Sequence, residues 1–267
     1  MKKVIFCDID NTLARKACKI SKKNIIAIKD YVEAGGDFIL STGRSIVSAS
    51  KFQNQIDSTL GRKPNFIICS NGGYIVDNIE NKVITQTIPN SLVREILAKI
   101  KQVKVWAMVY TEEGNQKKGV FCNKTWFWFI VKMFKSINCL KIKKDTVLDS
   151  FKINLTGKKR CIRKFKKILD EEFAGRITYS STMPYMIEIT PLNISKASAV
   201  KLVQQIKRVT KNDCAAFGDS GNDIEMFKNV DLPIAINTKN MILKNIAKHE
   251  IPKFKNGVNK AIRKYII

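Results

Sequence analysis

Val4-Ile5-Phe6-Cys7-Asp8-Ile9-Asp10-Asn11-Thr12-Leu13 is the stretch on which the fold turns. Residues 2–9 are β-branched and aromatic for the most part, a strand by composition, and the run ends on two carboxylates at i and i+2. On an extended chain such a pair lies on one side, so one carboxylate can bind a metal and attack while the other holds or donates a proton. Standing alone, two acids after a strand are equally well read as a solvated cap, and the surrounding pattern must decide.

Outward from that run the chain alternates. Lys22 to Ala34 puts Ile25, Ile28 and Val32 at helical spacing before Gly35-Gly36 stops it; Asp37 to Ser41 is an apolar strand, Ser45 to Phe52 a helix and Asn65 to Ser70 a third strand. The C-terminal part repeats the rhythm with a helix over Ser195–Arg208, a strand over Asp213–Phe217, a helix near Asn222–Phe227, a strand over Leu232–Ile236 and a closing helix from Val258. Strand, helix, strand at this spacing predicts right-handed crossovers and an α/β fold with a doubly wound, parallel-sheet (Rossmann-like) core. Between the two ends the pattern changes to longer alternating strands, as in Lys104–Tyr110, Phe151–Leu155 and Met186–Thr190. The expected organisation is therefore a core from residues 1–81 and 189–267 with an α+β insertion over 82–188.

Composition narrows the class. With 45% hydrophobic and 9% aromatic residues over 267, the chain can fill a core. No run approaches the ~18 apolar residues of a membrane span, and Met1-Lys2-Lys3 leads into acids rather than a signal-peptide apolar region, so no membrane role and a cytoplasmic location are expected. The seven cysteines contain no CxxC pair and read as small buried hydrophobes in a reducing compartment. His249 is the single histidine, which argues against a phosphohistidine or histidine-triad mechanism. The formal charge of +25 calls for anionic company, and thirteen Lys or Arg against two acids fall between Lys132 and Ile168.

In an open α/β sheet, ligands bind beyond the carboxyl ends of the strands. Those positions hold Asp8 and Asp10 after the first strand, Thr42-Gly43-Arg44 after the second, Asn71-Gly72 after the third, and Gly218-Asp219-Ser220-Gly221-Asn222-Asp223 after the strand near the C-terminus. Hydroxyl, bare backbone and a helix start at 42–44 suit phosphate oxygens, while Asp219 and Asp223 are the hard oxygen ligands that Mg²⁺ takes. Lys196, at the start of a helix, supplies a point charge for phosphate. Each turn singly also reads as an ordinary cap or loop.

Taken in order, Asp8-x-Asp10-x-Thr12, Thr42-Gly43-Arg44, Asn71-Gly72, Lys196 and Gly218-Asp219-Ser220-x-Asn222-Asp223 resemble the haloacid dehalogenase superfamily of aspartyl-nucleophile phosphatases over nearly the whole chain. The place of the insertion, with Asn256-Gly257-Val258 near the end, looks like the Cof-type branch with a C2 (type IIB) cap that sets substrate specificity. The resemblance implies a Mg²⁺-dependent phosphomonoester hydrolase for a small phosphorylated metabolite such as a sugar phosphate. It implies Asp8 as nucleophile and metal ligand, Asp10 as acid and base with its carbonyl on the metal, and Asp219 as the other direct ligand. Thr42, Gly43, Lys196 and Asn222 would hold the phosphoryl oxygens, with Asp223, Arg44 and Asn71 in support. A phosphomutase of the same superfamily shares the first half-reaction and stays open beside it, as does a basic anion-binding protein.

Two departures from the family pattern stand out: Asn11 where glycine is usual, tolerable because asparagine accepts left-handed backbone angles, and Ala235-Ile236-Asn237-Thr238 in place of a Met-Gly-Asn-Ala run. Trp126-Phe127-Trp128-Phe129 reads as core before it reads as a substrate mouth. Lys158 to Phe173 is an amphipathic helix with Ile162, Phe165, Leu169 and Phe173 inward. Its outer row of Lys and Arg reads as a solvated face rather than a nucleic-acid groove, since no nucleic-acid-binding signature accompanies it. No oligomeric state is read from the sequence.

Overall fold

The computed structural model describes residues 1–15, 19–116, 119–123 and 138–267. In chain order the elements are β1 (Val4–Cys7), α1 (Lys22–Glu33), β2 (Asp37–Ser41), α2 (Ile46–Leu60), β3 (Phe66–Cys69), β4 (Tyr74–Asp77) and β5 (Lys82–Thr85), followed by α3 (Asn90–Ile100), β6 (Val105–Thr111), α4 (Glu112–Gln116), β7 (Gly119–Cys122) and β8 (Asn138–Lys141). Then come β9 (Ser150–Gly157), α5 (Lys159–Glu172), β10 (Ile177–Met183) and β11 (Met186–Pro191), and finally α6 (Lys196–Ile206), β12 (Cys214–Gly218), α7 (Ile224–Lys228), β13 (Leu232–Ile236), α8 (Met241–Ile246), β14 (His249–Ile251) and α9 (Gly257–Tyr265). The chain forms two compact units, Met1–Ile84 with Ser195–Ile267, and Thr85–Ile194.

The first unit is an α/β layer structure on an eight-stranded sheet of order β14-β13-β12-β1-β2-β3-β4-β5. From β14 to β3 every pairing is parallel, and β4 returns antiparallel to β3. All residues of β1, β12 and β13 are buried, the continuous apolar signature of strands covered on both faces. Helix α1 starts where Ser21 Oγ accepts the Asn24 amide (3.2 Å) and ends before Gly35 at φ +92°, a left-handed angle that costs glycine nothing. Helix α2 runs beyond the predicted Phe52 to Leu60, where Gly61 at φ +67° caps it. The core gathers Val4, Phe6, Ile39, Phe66, Ile68 and Ala216 from the strands with Val200, Val203 and Phe227 from the helices.

The second unit carries a six-stranded sheet of order β10-β11-β9-β6-β7-β8, antiparallel except for the β7–β8 pair. One face alternates Val105, Ala107 and Val109 with Ile153, Leu155, Ile187 and Ile189, and packs on Ile96 and Ile100 of α3 and on Ile162, Phe165 and Leu169 of α5. The unit begins and ends a few residues later than residues 82–188. Lys82 lies in β5, the last strand of the first unit's sheet, and β11 runs on to Pro191. Among the described residues no helix is long and apolar enough to cross a membrane. The Trp126–Phe129 run lies outside the described residues.

The expectation for the cysteines needs a correction. Cys7, Cys69, Cys161 and Cys214 are buried thiols outside any disulfide, but Cys122 and Cys139 form a disulfide with Cα atoms 6.0 Å apart. The β7–β8 register pairs Val120 with Cys139, which places Cys122 two residues along on the same face of the neighbouring strand. A local spacing motif could not reveal this, because the proximity is made by strand pairing. Cys18 lies outside the described residues.

Candidate active site

The Asp8 amide donates to the Phe217 carbonyl (2.9 Å) where β1 and β12 end side by side, with Cys7 paired to Phe217. Asp8 and Asp219 therefore leave adjacent parallel strands at the same edge of the sheet. Beyond Asp10 the chain reverses through Asn11 at φ +58°, closed by Asn11 N–H to Ala14 O (2.9 Å) and Leu13 N–H to Ile9 O (3.1 Å). Asparagine thus takes the left-handed angle that glycine usually supplies.

Lys196 is the first residue of α6. Ser195 caps the helix by accepting the Ser198 amide (3.2 Å), and Ser198 Oγ accepts the Ser195 amide in return (3.0 Å). A side chain in the first turn leans back toward the helix N-terminus. The Lys196 ammonium accordingly reaches Asp8 Oδ1 at 2.5 Å and Asp223 Oδ1 at 2.7 Å, with all three side chains buried. The other oxygen of Asp223 accepts the amides of Asp219 (3.0 Å) and Ser220 (3.1 Å), so Asp223 braces the turn that presents Asp219. This is also why glycine stands at 218: a Cβ there would lie 2.6 Å from Asp223 Cγ. Asp219 is held further by Thr12 Oγ1, which donates to its carboxylate (3.4 Å), and by Thr238 Oγ1, which donates to its carbonyl.

The ends of β2 and β3 are laced together beside this group. Thr42 Oγ1 accepts the Arg44 amide (3.2 Å), the Asn71 amide donates to Thr42 O (3.0 Å), and Asn222 Nδ2 donates to Asn71 Oδ1 (3.3 Å). A Cβ on Gly43 would stand 3.1 Å from Asn71 Oδ1. Arg44 forms a two-point pair with Asp10, Nε to Oδ2 at 2.8 Å and Nη2 to Oδ1 at 2.6 Å, while Nη1 donates to Ser48 Oγ. Three sets result: Asp8, Asp219, Asp223 and Lys196; Asp10 with Arg44; and Thr42, Gly43, Asn71 and Asn222. Among the described residues, the carboxylate cluster with metal-ligand spacing consists of Asp8, Asp219 and Asp223, whose oxygens lie within 4.8 Å of one another; the Asp10 carboxylate is outside it, engaged by Arg44.

The charges in the first set do not balance. Burial pushes the Asp8 carboxyl up to about 8, with Asp223 adding to the rise and Lys196 opposing it. Burial, then Asp223, push Asp219 up to about 7. Burial disfavours the Lys196 ammonium, but Asp223 and Asp8 outweigh it and raise its pKa. Three carboxylates facing one ammonium leave a deficit of positive charge, and a divalent cation on oxygen ligands fits that deficit.

Sequence reasoning did not find Thr238. It lies in the Ala235-Ile236-Asn237-Thr238 departure, where Asn237 at φ +54° turns the chain so that Thr238, itself buried, meets Asp219. The departure from the family run was the only signal.

A family model for haloacid dehalogenase-like hydrolases matches residues 5–262. The chain is 26% identical over 266 residues to the 5-amino-6-(5-phospho-D-ribitylamino)uracil phosphatase YcsE of Bacillus subtilis, covering 99% of this chain and 96% of that one. Among solved structures it is similar to a haloacid dehalogenase-like hydrolase from Bacteroides thetaiotaomicron (TM-score 0.86, 20% identity, 99% of each chain). It is also similar to the HAD subclass IIB sugar phosphatase BT4131 (TM-score 0.78, 18% identity, 98% of each chain).

Proposed function

The chain belongs to the haloacid dehalogenase-like hydrolases, and on that premise we propose a Mg²⁺-dependent phosphatase that hydrolyses a sugar- or polyol-phosphate monoester through an aspartyl-phosphate on Asp8. The observation that carries the reading is the convergence of Asp8, Asp219 and Asp223 about a single buried lysine, a cluster short of positive charge. The 5-phospho-D-ribityl group in the name of the Bacillus subtilis relative favours a polyol chain on the leaving side.

In this reading Asp8, Asp219 and the Asp10 carbonyl, with Asp223 in support, would hold Mg²⁺, which when bound would supply positive charge to offset that of the phosphoryl oxygens. An Asp8 oxygen attacks phosphorus; the Asp8 O–P bond forms as the ester P–O bond breaks, and Asp10 gives its proton to the departing oxygen. Asp10 then takes a proton from water as that water attacks phosphorus, releasing inorganic phosphate and restoring Asp8. Lys196, Thr42, Gly43 and Asn222 hold the equatorial oxygens, where fixed donors stabilise negative charge without reorganising. Asp10 needs a free oxygen for this work, so the Arg44 pair must open when the ester is in place. The unit over Thr85–Ile194 is the part to which we assign substrate choice.

The experiment is release of inorganic phosphate from p-nitrophenyl phosphate by wild type and Asp8→Asn, with Mg²⁺ and with EDTA. The expected result is loss of at least a thousandfold in the variant and loss of activity in EDTA. Equal rates for the two proteins, or indifference to EDTA, would end the proposal.

A further inference from the structure

Helix α5 is built against its own electrostatics. Its inner face, Cys161, Ile162, Phe165 and Leu169, is buried in the second unit's core. Its outer face presents Lys158, Lys159, Arg160, Arg163, Lys164 and Lys167, all exposed. Among the described residues none of these six has a carboxylate within ion-pair distance, whereas two of the three acids of the last turn are used elsewhere: Tyr179 Oη donates to Asp170 (2.5 Å), and Lys99 pairs with Glu172 (2.5 Å). The N-cap is Lys158, which makes no side-chain capping bond, and the first turn contains no acid. Cations crowd the positive end of the helix dipole, and Lys159–Arg163, Arg160–Lys164 and Arg163–Lys167 are like-charged neighbours one turn apart. Each of these choices destabilises the isolated helix, and conflict of local rules without an internal gain is the mark of a functional surface.

Against the sequence expectation of a merely solvated face, we propose that this stripe is a docking surface for the phosphate backbone of a nucleic-acid duplex, bound without reading its sequence. Charge complementarity selects a polyanion. No large hydrophobic side chain is exposed on α5 itself among the described residues, so the helix face offers neither apolar side chains to enter a lipid headgroup layer nor aromatic rings on which unpaired bases stack; exposed Tyr185, whose carbonyl accepts the Gly157 amide (3.1 Å), stands at its N-terminal end. From Lys159 to Lys167 the helix advances about 12 Å, along which one strand of a duplex presents roughly four phosphates. Neutralising about four phosphates gives a slope near −3.6 in log K against log salt, or about a 150-fold loss of affinity from 50 to 200 mM. The surface is independent of the phosphatase reading.

The test is fluorescence anisotropy of the full chain with two 30-base-pair labelled duplexes of unrelated sequence, between 50 and 200 mM NaCl. The expected result is equal affinity for both duplexes and the steep salt slope above. Lys159→Gln/Arg163→Gln/Lys164→Gln/Lys167→Gln should weaken binding at least tenfold at 50 mM and flatten the slope, with an unchanged circular dichroism spectrum and unchanged release of p-nitrophenol. A matched variant elsewhere, Lys23→Gln/Lys51→Gln/Lys201→Gln/Lys253→Gln, should stay within twofold of wild type. Absence of binding at 50 mM, equal losses in the two variants, or sedimentation with phosphatidylserine vesicles under conditions where duplex is not bound would each overturn the assignment.

Discussion

Replacing Lys196 by methionine isolates the electrostatic core of the site. The ammonium lies 2.5 Å from Asp8 and 2.7 Å from Asp223, and its side chain is fully buried. Methionine keeps most of the volume and removes the charge, leaving two buried carboxyl groups facing each other. Breaking a buried pair by removing one partner typically costs about 3–5 kcal/mol. For a chain of this size that corresponds to a fall in melting midpoint on the order of 10 °C. The loss must depend on pH in a definite direction. Burial holds the Asp8 carboxyl at about 8 in the folded protein, above its ordinary value of 3.8, so the folded state holds that proton more firmly and stability declines as pH rises between those values. Without Lys196, which opposes the rise, the Asp8 carboxyl shifts further upward and the decline continues to higher pH. The Lys196 contribution itself, its pKa raised in the fold, is complete below its unfolded value of 10.5 and is lost only as pH climbs through the higher folded one. The variant should therefore resemble wild type most closely near pH 5 and fall furthest behind near pH 9. Differential scanning calorimetry in EDTA across pH 5–9 makes the measurement. A midpoint within about 2 °C of wild type at pH 8, or a difference that does not shrink toward pH 5, would refute the account of how these charges are balanced.

Three further outcomes follow from the same geometry. Since Asp8 and Asp219 sit near 8 and 7, a divalent ion must displace protons to bind; Mn²⁺ affinity measured by electron paramagnetic resonance should be at least tenfold weaker at pH 6 than at pH 8, and a flat profile would contradict this. Gly218→Ala drives a methyl group to 2.6 Å from Asp223 Cγ and should cut kcat for p-nitrophenyl phosphate by tenfold or more, while Gly61→Ala, where the space is open, should leave kcat unchanged. Alkylation of the denatured, unreduced protein should label two fewer cysteines than after reduction, and Cys122→Ser/Cys139→Ser should lower stability by about 2–4 kcal/mol in urea titration, as expected for closing a loop of sequence separation 17.

The parts of the site legible in the sequence are those that follow strands. Asp8 and Asp219 stand directly after apolar runs, and parallel pairing of those runs brings them together from 211 positions apart in the chain. Lys196 was legible for a different reason: a first-turn position dictates where its side chain leans. What the sequence did not show was made by contacts with no local period. Thr238 reaches Asp219 through an irregular turn, Cys122 meets Cys139 through strand register, and Asp10 faces Arg44 rather than the acidic cluster because a guanidinium can occupy both its oxygens. The second unit's limits fell a few residues off for a related reason, since β5 continues the first unit's sheet and β11 outruns its alternating pattern.

The hydrogen-bonded edge between β1 and β12 has a consequence for biosynthesis. Asp8 leaves the ribosome well ahead of its partners at 196, 219 and 223, which follow only after roughly 10–40 s of elongation at ordinary rates. Throughout that interval β1 has an unsatisfied flank and a carboxylate that burial would penalise, so the nascent segment that carries it gains little by closing early. Pairing of β1 with β12 and assembly of the carboxylate–lysine cluster are then one event, and a truncated product released before residue 223 is left without the complete cluster.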